Sequence, residues 1–284
     1  MDPVSVKMLA AGVLIAEVAL LVWAAWRKAS KSHFRAKHYP IYLVGQFLTR
    51  TLWRARVEGR MRWVKNQGAV VVCNHRGPID PAFVGLACDG PVHWMVAKEY
   101  FDYPFFGTML RYLESVPTGR RGIDTAATKQ ILRYAGSGEM VGVFPEGRIN
   151  TTDRVLLPGY TGAVVIALKA RVPIIPCFIS GSPNDPKSPY GFLFQRAQTV
   201  LRIGTPIDLT PYFDRADDRD VQEDLTRRVL RAVVALAGRP DYEPELIARR
   251  RHRRGDSSSD ATAEASGETS TAPAEDDAES PAEV

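Results

Sequence analysis

Short apolar runs alternate with helix-like segments between Val57 and about Pro240. The runs AVVVC, VHWMVA, MVGVF, VPIIPCFI and TVLRIG are five to eight residues long, and stretches such as 124–136 and 159–170 separate them. Largely apolar runs of this length are typical of strands buried on both faces, and their alternation with helices is typical of α/β proteins. We therefore predict a single α/β domain over residues 57–240, with a largely buried mixed or parallel sheet flanked by helices.

A longer helix is predicted over residues 217–237. Its apolar residues recur at helical spacing on one side: Val221, Leu225, Val229, Val233 and Leu236. Hydrophobic residues make up 45% of the 284 residues, which is enough to fill the core of one such domain.

Residues 1–56 are predicted to associate with a membrane. Met8 to Trp26 is a run of 19 residues with one charge, Glu17. As a helix it would be about 28 Å long, close to the thickness of a hydrocarbon core. Basic residues follow it at once, which favours the cytoplasmic face for the rest of the chain. A helix lying in the interface is the alternative, because a central carboxylate costs about 2.5 to 3.5 kcal/mol in a spanning helix.

A second N-terminal helix is predicted to begin at Pro40. The stretch PIYLVGQFLTRTLWRAR has apolar residues at helical spacing and a basic end. The pattern is compatible with a helix against lipid and with a helix that packs on the main domain.

Residues 241–284 are predicted to be a basic cluster followed by a disordered acidic tail. The last 30 residues contain 9 acidic residues and no Lys or Arg. The remaining 1–254 then hold 37 basic and 23 acidic residues, a formal charge of +14. Such a charge favours anionic partners, which include nucleic acid, phosphate-bearing substrates and anionic membranes. No nucleic-acid-binding module is recognisable, so we do not expect a nucleic-acid partner.

The cysteines and histidines do not indicate a metal centre or a disulfide framework. Three cysteines are widely spaced, and the five histidines are scattered without paired-ligand spacing. Cys73 lies in the apolar run VVVC, so we expect a buried, unreactive thiol there.

His75 and Asp80 stand where an apolar strand gives way to a helix, in CNHRGPIDP. An imidazole held by a carboxylate is the arrangement of a general base. Asp80 before Pro81 is also a strong helix-start signature, in which the aspartate accepts from the first-turn amides. By itself the pair fits either description.

Two further segments leave predicted strands with charged and glycine residues. VGVFPEGRIN, at 141–150, places Glu146, Gly147 and Arg148 at a strand end, where α/β sheets tend to bind ligands. SVPTGRRGID, at 115–124, presents two arginines, at 120 and 121, between glycines, which suits a phosphate group. An ordinary charged turn and a solvated basic loop are the alternatives.

Together with VPIIPCF at 172–178, these segments resemble the glycerolipid acyltransferase family, whose best-known members are lysophosphatidic acid acyltransferases. The resemblance rests on Asn-His-x4-Asp ending at Asp80, an arginine loop, Phe-Pro-Glu-Gly, and Val-Pro-Ile-x-Pro, and it spans about residues 57–210. Arg148 stands one place earlier than the usual arginine of the third motif. That variant also resembles lysophosphatidylethanolamine-type acyltransferases.

The resemblance implies a set of roles. The catalytic pair would be His75 as general base and Asp80 as its orienting carboxylate. The substrate-binding residues would be Arg120, Arg121, Glu146, Gly147 and Arg148, with no metal. An amide near Gly147 or in a neighbouring loop would stabilise the oxyanion, and Glu146 would orient the acceptor or an arginine.

The resemblance also implies a reaction. An acyl group would pass from acyl-CoA or acyl carrier protein, as co-substrate and with no cofactor, to the 2-hydroxyl of 1-acyl-glycerol-3-phosphate in a membrane, giving phosphatidic acid. The acceptor could instead be another lysophospholipid or glycerol 3-phosphate. A different class is a membrane-bound lipid-binding protein that has lost activity.

Overall fold

A computed structural model describes residues 12–17, 19–20, 23–24, 27, 34, 36–61, 67–88, 90–119, 124–185 and 190–247. Much of the predicted anchor and the whole of the predicted tail from residue 248 lie outside the described residues. Residues 12–17 are helical. Within the described ranges, no helix has both the length and the apolar character needed to cross a membrane.

Seven strands form one sheet in the order β1-β7-β6-β2-β5-β3-β4. They are β1 (Arg56–Glu58), β2 (Ala69–Cys73), β3 (Val92–Ala97), β4 (Val116–Thr118), β5 (Met140–Val143), β6 (Ile174–Ser180) and β7 (Val200–Ile203). All neighbouring pairs run parallel except β6 and β7, which are antiparallel. The predicted mixed, largely parallel sheet is therefore confirmed.

Helices connect most of the strands. They are α1 (Tyr39–Thr51), α2 (Asp80–Gly85), α3 (Pro104–Tyr112), α4 (Thr125–Gly136), α5 (Gly162–Ala170) and α6 (Arg219–Leu236). The predicted helices over 124–136 and 217–237 are confirmed as α4 and α6. Each begins after an aspartate, Asp124 or Asp218, whose carboxylate accepts hydrogen bonds from first-turn amides.

The central strand β2 is buried along its whole length and divides the core into two layers. Val70 and Val72 pack with residues of α4, α5 and α6 on one face. Val71 and Cys73 pack on the other face, with α2 and with aromatic residues such as Trp94. Because successive strand side chains point to opposite faces, an unbroken apolar run is what such a two-sided strand requires.

Packing extends beyond residues 57–240 at both ends. Trp53, just after α1, is 1% exposed and contacts Phe83 and Phe192 in the second core layer. At the other end, Leu246 forms a β-bridge with Gly159. Helix α1 buries part of its surface on the domain and leaves Val44 56% exposed. The predicted packing of this helix on the main domain is therefore confirmed, and contact with lipid stays a prediction.

The register brings the ends of three parallel strands together. Val72 of β2 pairs with Val143 of β5, and Cys73 of β2 pairs with Cys177 of β6. The segments that follow these strands consequently leave the sheet side by side at its carboxyl edge, the usual ligand-binding edge of an α/β sheet.

Candidate active site

His75 leaves the carboxyl end of β2 with its imidazole against Asp80. The distance from His75 Nδ1 to Asp80 Oδ2 is 2.9 Å, the carboxylate is fully buried, and 17% of the imidazole is exposed. An ionised carboxylate only accepts hydrogen bonds, so Nδ1 carries the proton of a neutral ring and Nε2 is an acceptor. The predicted pair is thus formed, and the geometry leaves Nε2 as the basic nitrogen.

The hydrogen bonds of the Asp80 carboxylate differ from those predicted. Helix α2 does begin at Asp80, but its N-cap is Ile79, and no side chain caps it. The carboxylate instead turns back, and Oδ2 accepts from the backbone amides of Arg76 at 2.6 Å and Gly77 at 2.9 Å. The expectation that Asp80 caps its own helix is wrong, because the preceding loop wraps around the carboxylate and supplies its donors.

Ser182 supplies a further donor that sequence reasoning missed. Its Oγ donates to Asp80 Oδ1 at 2.5 Å from the loop after β6. Two glycines allow this approach. A Cβ at Gly77 would lie 2.4 Å from the carbonyl oxygen of Pro183, and Gly181 has φ +68°, with a Cβ position 2.2 Å from the carbonyl oxygen of Gln198. The sequence ISGSP, which begins at the end of β6 next to β2, is the signal that could have indicated this contact.

Asn74 joins the ends of β2 and β6. Its side-chain Nδ2 donates to the carbonyl oxygen of Ile179 at 2.9 Å, and its Oδ1 accepts from the Ile179 amide at 2.7 Å. Asn74 is fully buried. This pair of bonds holds the two loops in register immediately before His75.

Glu146 holds the backbone of His75. It is 3% exposed, Oε1 accepts from the His75 amide at 2.6 Å, and Oε2 accepts from the Leu157 amide at 2.8 Å. Burial raises the pKa of Glu146, and these two amide donors oppose the rise. Sequence reasoning expected this carboxylate to orient the acceptor or an arginine. In the structure its oxygens bond to the main chain, which gives it a positioning role.

Gly147 and Arg148 directly follow Glu146 at this sheet edge. Gly147 has φ +66°, and a Cβ there would lie 3.0 Å from the ring of Tyr160. Its amide donates to the carbonyl oxygen of Phe144 at 3.1 Å, so that amide is engaged in the turn. Arg148 is exposed at the same edge.

An aromatic stack supports the imidazole. The ring of His75 lies parallel to that of Phe144, with centroids 3.9 Å apart, and Phe144 stacks on Trp94 at 4.5 Å. A Cβ at Gly142 would lie 2.5 Å from the Trp94 ring, so only glycine permits this packing over β5. The stack fixes the plane of the imidazole. No pattern of residue spacing in the sequence predicted that these three rings would meet.

The predicted phosphate-binding arginines at 120 and 121 lie outside the described residues. The two ends of their loop are described. Asp124 accepts from the amides of Gly119, at 3.0 Å, and Ala127, at 3.1 Å, and pairs with Lys98 Nζ at 3.0 Å. The Ala127 amide, with Lys98 and then Gly119, lowers the pKa of Asp124 to about 2. Asp124 therefore joins both ends of the loop as an ionised group.

Cys73 is not placed for nucleophilic chemistry. Burial, with a smaller contribution from neighbouring Cys177, raises the pKa of the Cys73 thiol well above its ordinary value. Its side chain is 0% exposed. Across the described part of the chain, no group of three or more His, Cys, Asp or Glu residues is arranged to hold a metal ion.

Comparison with known proteins shows what the domain is similar to. Residues 54–180 match the family model described as acyltransferase. This part of the chain is an acyltransferase domain. The match includes the four positions His75, Asp80, Glu146 and Gly147 that the acyltransferase brings together at one sheet edge, and it ends two residues before Ser182.

Two bacterial proteins are similar in sequence to parts of this chain. The acyltransferase is 29% identical over 143 residues to a 1-acyl-sn-glycerol-3-phosphate acyltransferase of Bacillus subtilis, covering 50% of this chain and 68% of the relative. It is 31% identical over 186 residues to an uncharacterized protein of Mycobacterium tuberculosis, covering 60% of this chain and 49% of that protein. The matched region therefore spans about half the length of the mycobacterial relative.

The fold is that of the crystal structure of the 1-acyl-sn-glycerophosphate (LPA) acyltransferase PlsC from Thermotoga maritima. The TM-score is 0.53 at 20% sequence identity, over 79% of this chain and 93% of that one. At this identity the likeness concerns the architecture, which agrees with the α/β domain described above.

Proposed function

We propose that this acyltransferase transfers a fatty acyl group from acyl-CoA or acyl carrier protein to the 2-hydroxyl of 1-acyl-glycerol-3-phosphate, giving phosphatidic acid. The observation that carries the proposal is the pairing of His75 Nδ1 with the buried carboxylate of Asp80. Relatives that carry the name 1-acyl-sn-glycerol-3-phosphate acyltransferase support this acceptor.

His75 Nε2 removes the proton of the acceptor hydroxyl as that oxygen attacks the thioester carbonyl carbon. Asp80 stabilises the imidazolium that forms and holds its tautomer. When the tetrahedral intermediate collapses, the carbon–sulfur bond breaks and the imidazolium returns its proton to the departing thiolate. The acceptor then holds the new ester and the donor leaves as a free thiol, so protons and charge balance without an acyl-enzyme.

Guanidinium groups hold the phosphate of the acceptor. Arg148 is exposed at the edge that carries His75. The loop with arginines 120 and 121 lies between Gly119 and Asp124, and the Asp124 carboxylate accepts from the amides of Gly119 and Ala127. Arginine binds phosphate through paired hydrogen bonds, which orients the acceptor as well as attracting it. The amide that stabilises the oxyanion belongs to a loop at the same edge, other than the Gly147 amide engaged with Phe144.

We place the reaction at a membrane because the acceptor is a membrane lipid, and at its cytoplasmic face because basic residues directly follow the predicted anchor. The predicted anchor over residues 8–26 holds the enzyme there, spanning the bilayer or lying in its interface. Helix α1 supports membrane proximity, since Val44 is 56% and Phe47 66% exposed, with the basic Arg50 in its last turn.

Release of free thiol from acyl-CoA by purified protein tests the proposal. Release should depend on added 1-acyl-glycerol-3-phosphate, and His75→Ala should slow it by at least about 10² to 10⁴-fold while the protein stays folded. Lysophosphatidylethanolamine and glycerol 3-phosphate serve as competing acceptors, because the early position of Arg148 also resembles the former type. Repeating the assay with acyl carrier protein identifies the donor.

Three results would overturn parts of the proposal. Faster turnover of another acceptor would change the substrate. Full activity in His75→Ala would remove the general base. No thiol release with any acceptor or donor would indicate a membrane-bound lipid-binding protein instead.

A further inference from the structure

The ring of Phe144 covers one face of the His75 imidazole. The two rings are nearly parallel, at an angle of 7°, and their centroids lie 3.9 Å apart. The edge of the imidazole is held by a different residue, because Nδ1 lies 2.9 Å from Asp80 Oδ2. Asp80 therefore contacts the imidazole at its edge, and Phe144 contacts its π face.

The main chain of His75 is held without this stack. Its amide donates to Glu146 Oε1 at 2.6 Å, and its carbonyl oxygen accepts from the Asn150 amide at 2.7 Å. An aliphatic side chain of similar volume at position 144 would also pack against the imidazole. What an aromatic ring adds to that packing is the charge distribution of its face.

The face of an aromatic ring carries a partial negative charge. Two neutral aromatic rings therefore prefer offset or edge-to-face arrangements, with centroids about 4.5 to 7 Å apart. The pair of His75 and Phe144 is closer than this and nearly parallel. A cation is attracted to the face of a ring when it lies within about 6 Å of the centroid. The observed geometry therefore suits the imidazolium better than the neutral imidazole.

Trp94 supports Phe144 in turn. The two rings stack with centroids 4.5 Å apart, and Trp94 is 5% exposed. Strand β5 lies between β2 and β3 in the sheet, so Phe144, directly after β5, stands between His75 and Trp94. Gly142 leaves the space for the Trp94 ring. The column of rings thus ends in the buried core, where water screens the attraction between a cation and a ring only weakly.

The charged groups around His75 are compatible with a cation at this position. The buried carboxylate of Asp80 contacts the imidazole, and that of Glu146 accepts from the His75 amide. The adjacent cation is Arg76, whose guanidinium donates to the carbonyl oxygen of Thr152 at 3.0 Å. The Phe144 ring therefore belongs to a set of groups that stabilise positive charge on the imidazole.

We propose that the Phe144 ring stabilises the imidazolium that forms when His75 takes the proton of the acceptor hydroxyl. The contact is stronger with the charged ring than with the neutral one, which is the condition for an interaction to lower a reaction barrier. Phe144 acts through His75 and is a positioning residue. The proposal rests on the proposed function only for the identity of the group that gives up the proton.

Fluorinated phenylalanines at position 144 of the full-length protein change the charge of the ring face and nearly preserve its shape. Mono-, tri- and pentafluorinated rings weaken and then reverse the attraction to a cation, because fluorine withdraws electron density from the face. In that order kcat/KM for thiol release should fall, by about three- to thirtyfold in total. Phe192 is the control, because it is 2% exposed and packs against Trp53. The same analogues there should leave kcat/KM close to that of the parent.

The protonation of His75 is a readout that does not require catalysis. The magnetic resonance signal of isotope-labelled histidine is assigned to His75 by its absence in His75→Gln. This signal should change from the charged to the neutral form at lower pH in the pentafluorinated variant, because a weaker contact makes the imidazolium easier to deprotonate. A tenfold loss of imidazolium stability corresponds to about one pH unit. The acid limb of the pH profile of kcat/KM should move in the same direction, whereas a misplaced imidazole would lower the rate at every pH.

Three results would overturn the proposal. The first is a His75 titration that is the same in the parent and the pentafluorinated variant. The second is an equal loss of kcat/KM with the analogues at position 192. The third is a parent-like titration in Phe144→Leu, which keeps an apolar side chain but has no ring. Absence of thiol release from the parent would refute the proposed function alone, because the titration of His75 still decides the role of Phe144.

Discussion

The hydroxyl of Ser182 donates a hydrogen bond to the carboxylate of Asp80 from a position 102 residues further along the chain. Asp80 in turn holds the imidazole of His75. The acyltransferase therefore supports its proposed general base through two successive side chains, and the second of these lies in the loop that follows β6. Ser182 is a positioning residue, since it acts on the base only through Asp80.

Ser182→Ala should lower kcat about tenfold with little change in KM, because Asp80 loses one constraint while the substrate contacts remain. A hydrogen bond to a charged group contributes about 1.5 to 3 kcal/mol, so a lower melting temperature is also expected. Ser137→Ala removes a hydroxyl that donates to a carbonyl at the end of α4, and it serves as the control.

A double-mutant cycle separates positioning from general stability. In an Asp80→Asn background, Ser182→Ala should have little further effect on kcat, because the two residues act through one contact. Fully additive losses in kcat would contradict the positioning role.

Gly77→Ala should damage the site through backbone contact. The added Cβ would lie 2.4 Å from the carbonyl oxygen of Pro183 and 2.7 Å from Ser182 Oγ, so the two loops would have to separate. We expect a loss of about 1 to 3 kcal/mol in the free energy of unfolding and a large loss of activity. The matched control is Gly85→Ala in α2, where no atom lies within 4 Å of the new Cβ. That variant should be as stable as the parent or slightly more stable.

Part of this arrangement could be predicted from the sequence. The apolar run of β2 and the segment VGVFPEG both predicted buried strands of a mixed or parallel sheet. Parallel strands end at one edge, and the pairing of β2 with β5 then brings Glu146 close to His75. Helix α6 followed from its apolar spacing alone. These features depend on local periodicity and on a general rule of sheet geometry.

Side-chain direction could not be predicted in the same way. Asp80 before Pro81 carries the local signature of a cap, yet its carboxylate accepts from the amides of Arg76 and Gly77 and contacts the His75 imidazole. Ser182 reaches the site only through the register of β6 on β2. The spacing of apolar residues carries no information on a contact between residues 102 positions apart, such as Ser182 and Asp80.

The stability of the protein at acid pH should depend on Asp124. Its folded-state pKa is about 2 against an ordinary value of 3.8, so the ionised form is favoured in the folded protein. Its contribution is present above pH 3.8 and is lost as the pH falls towards about 2. Asp124→Asn should therefore melt at a lower temperature than the parent at neutral pH, with a difference that shrinks across this window. A difference independent of pH would contradict the assignment.

The three cysteine thiols should be unreactive in the folded enzyme. Burial raises the pKa of Cys177 to about 12 and that of Cys73 well above its usual range. Iodoacetamide at pH 8 should leave activity unchanged, and a thiol-specific chromophore should report no cysteines before unfolding and three afterwards. Rapid inactivation, prevented by bound acyl-CoA, would instead point to a covalent thioester on a cysteine.

The Asn74 side chain replaces main-chain hydrogen bonds at the end of β2. Its side-chain amide makes the two bonds with Ile179 that the main chain of β2 would make if the parallel ladder continued. The main chain is thereby released from sheet geometry one residue before His75, while the sheet itself loses no pairing. The His75 side chain can therefore lie outside the strand and still be held rigidly. The Asn74 side chain makes the hydrogen bonds that a further residue of strand would otherwise have to make.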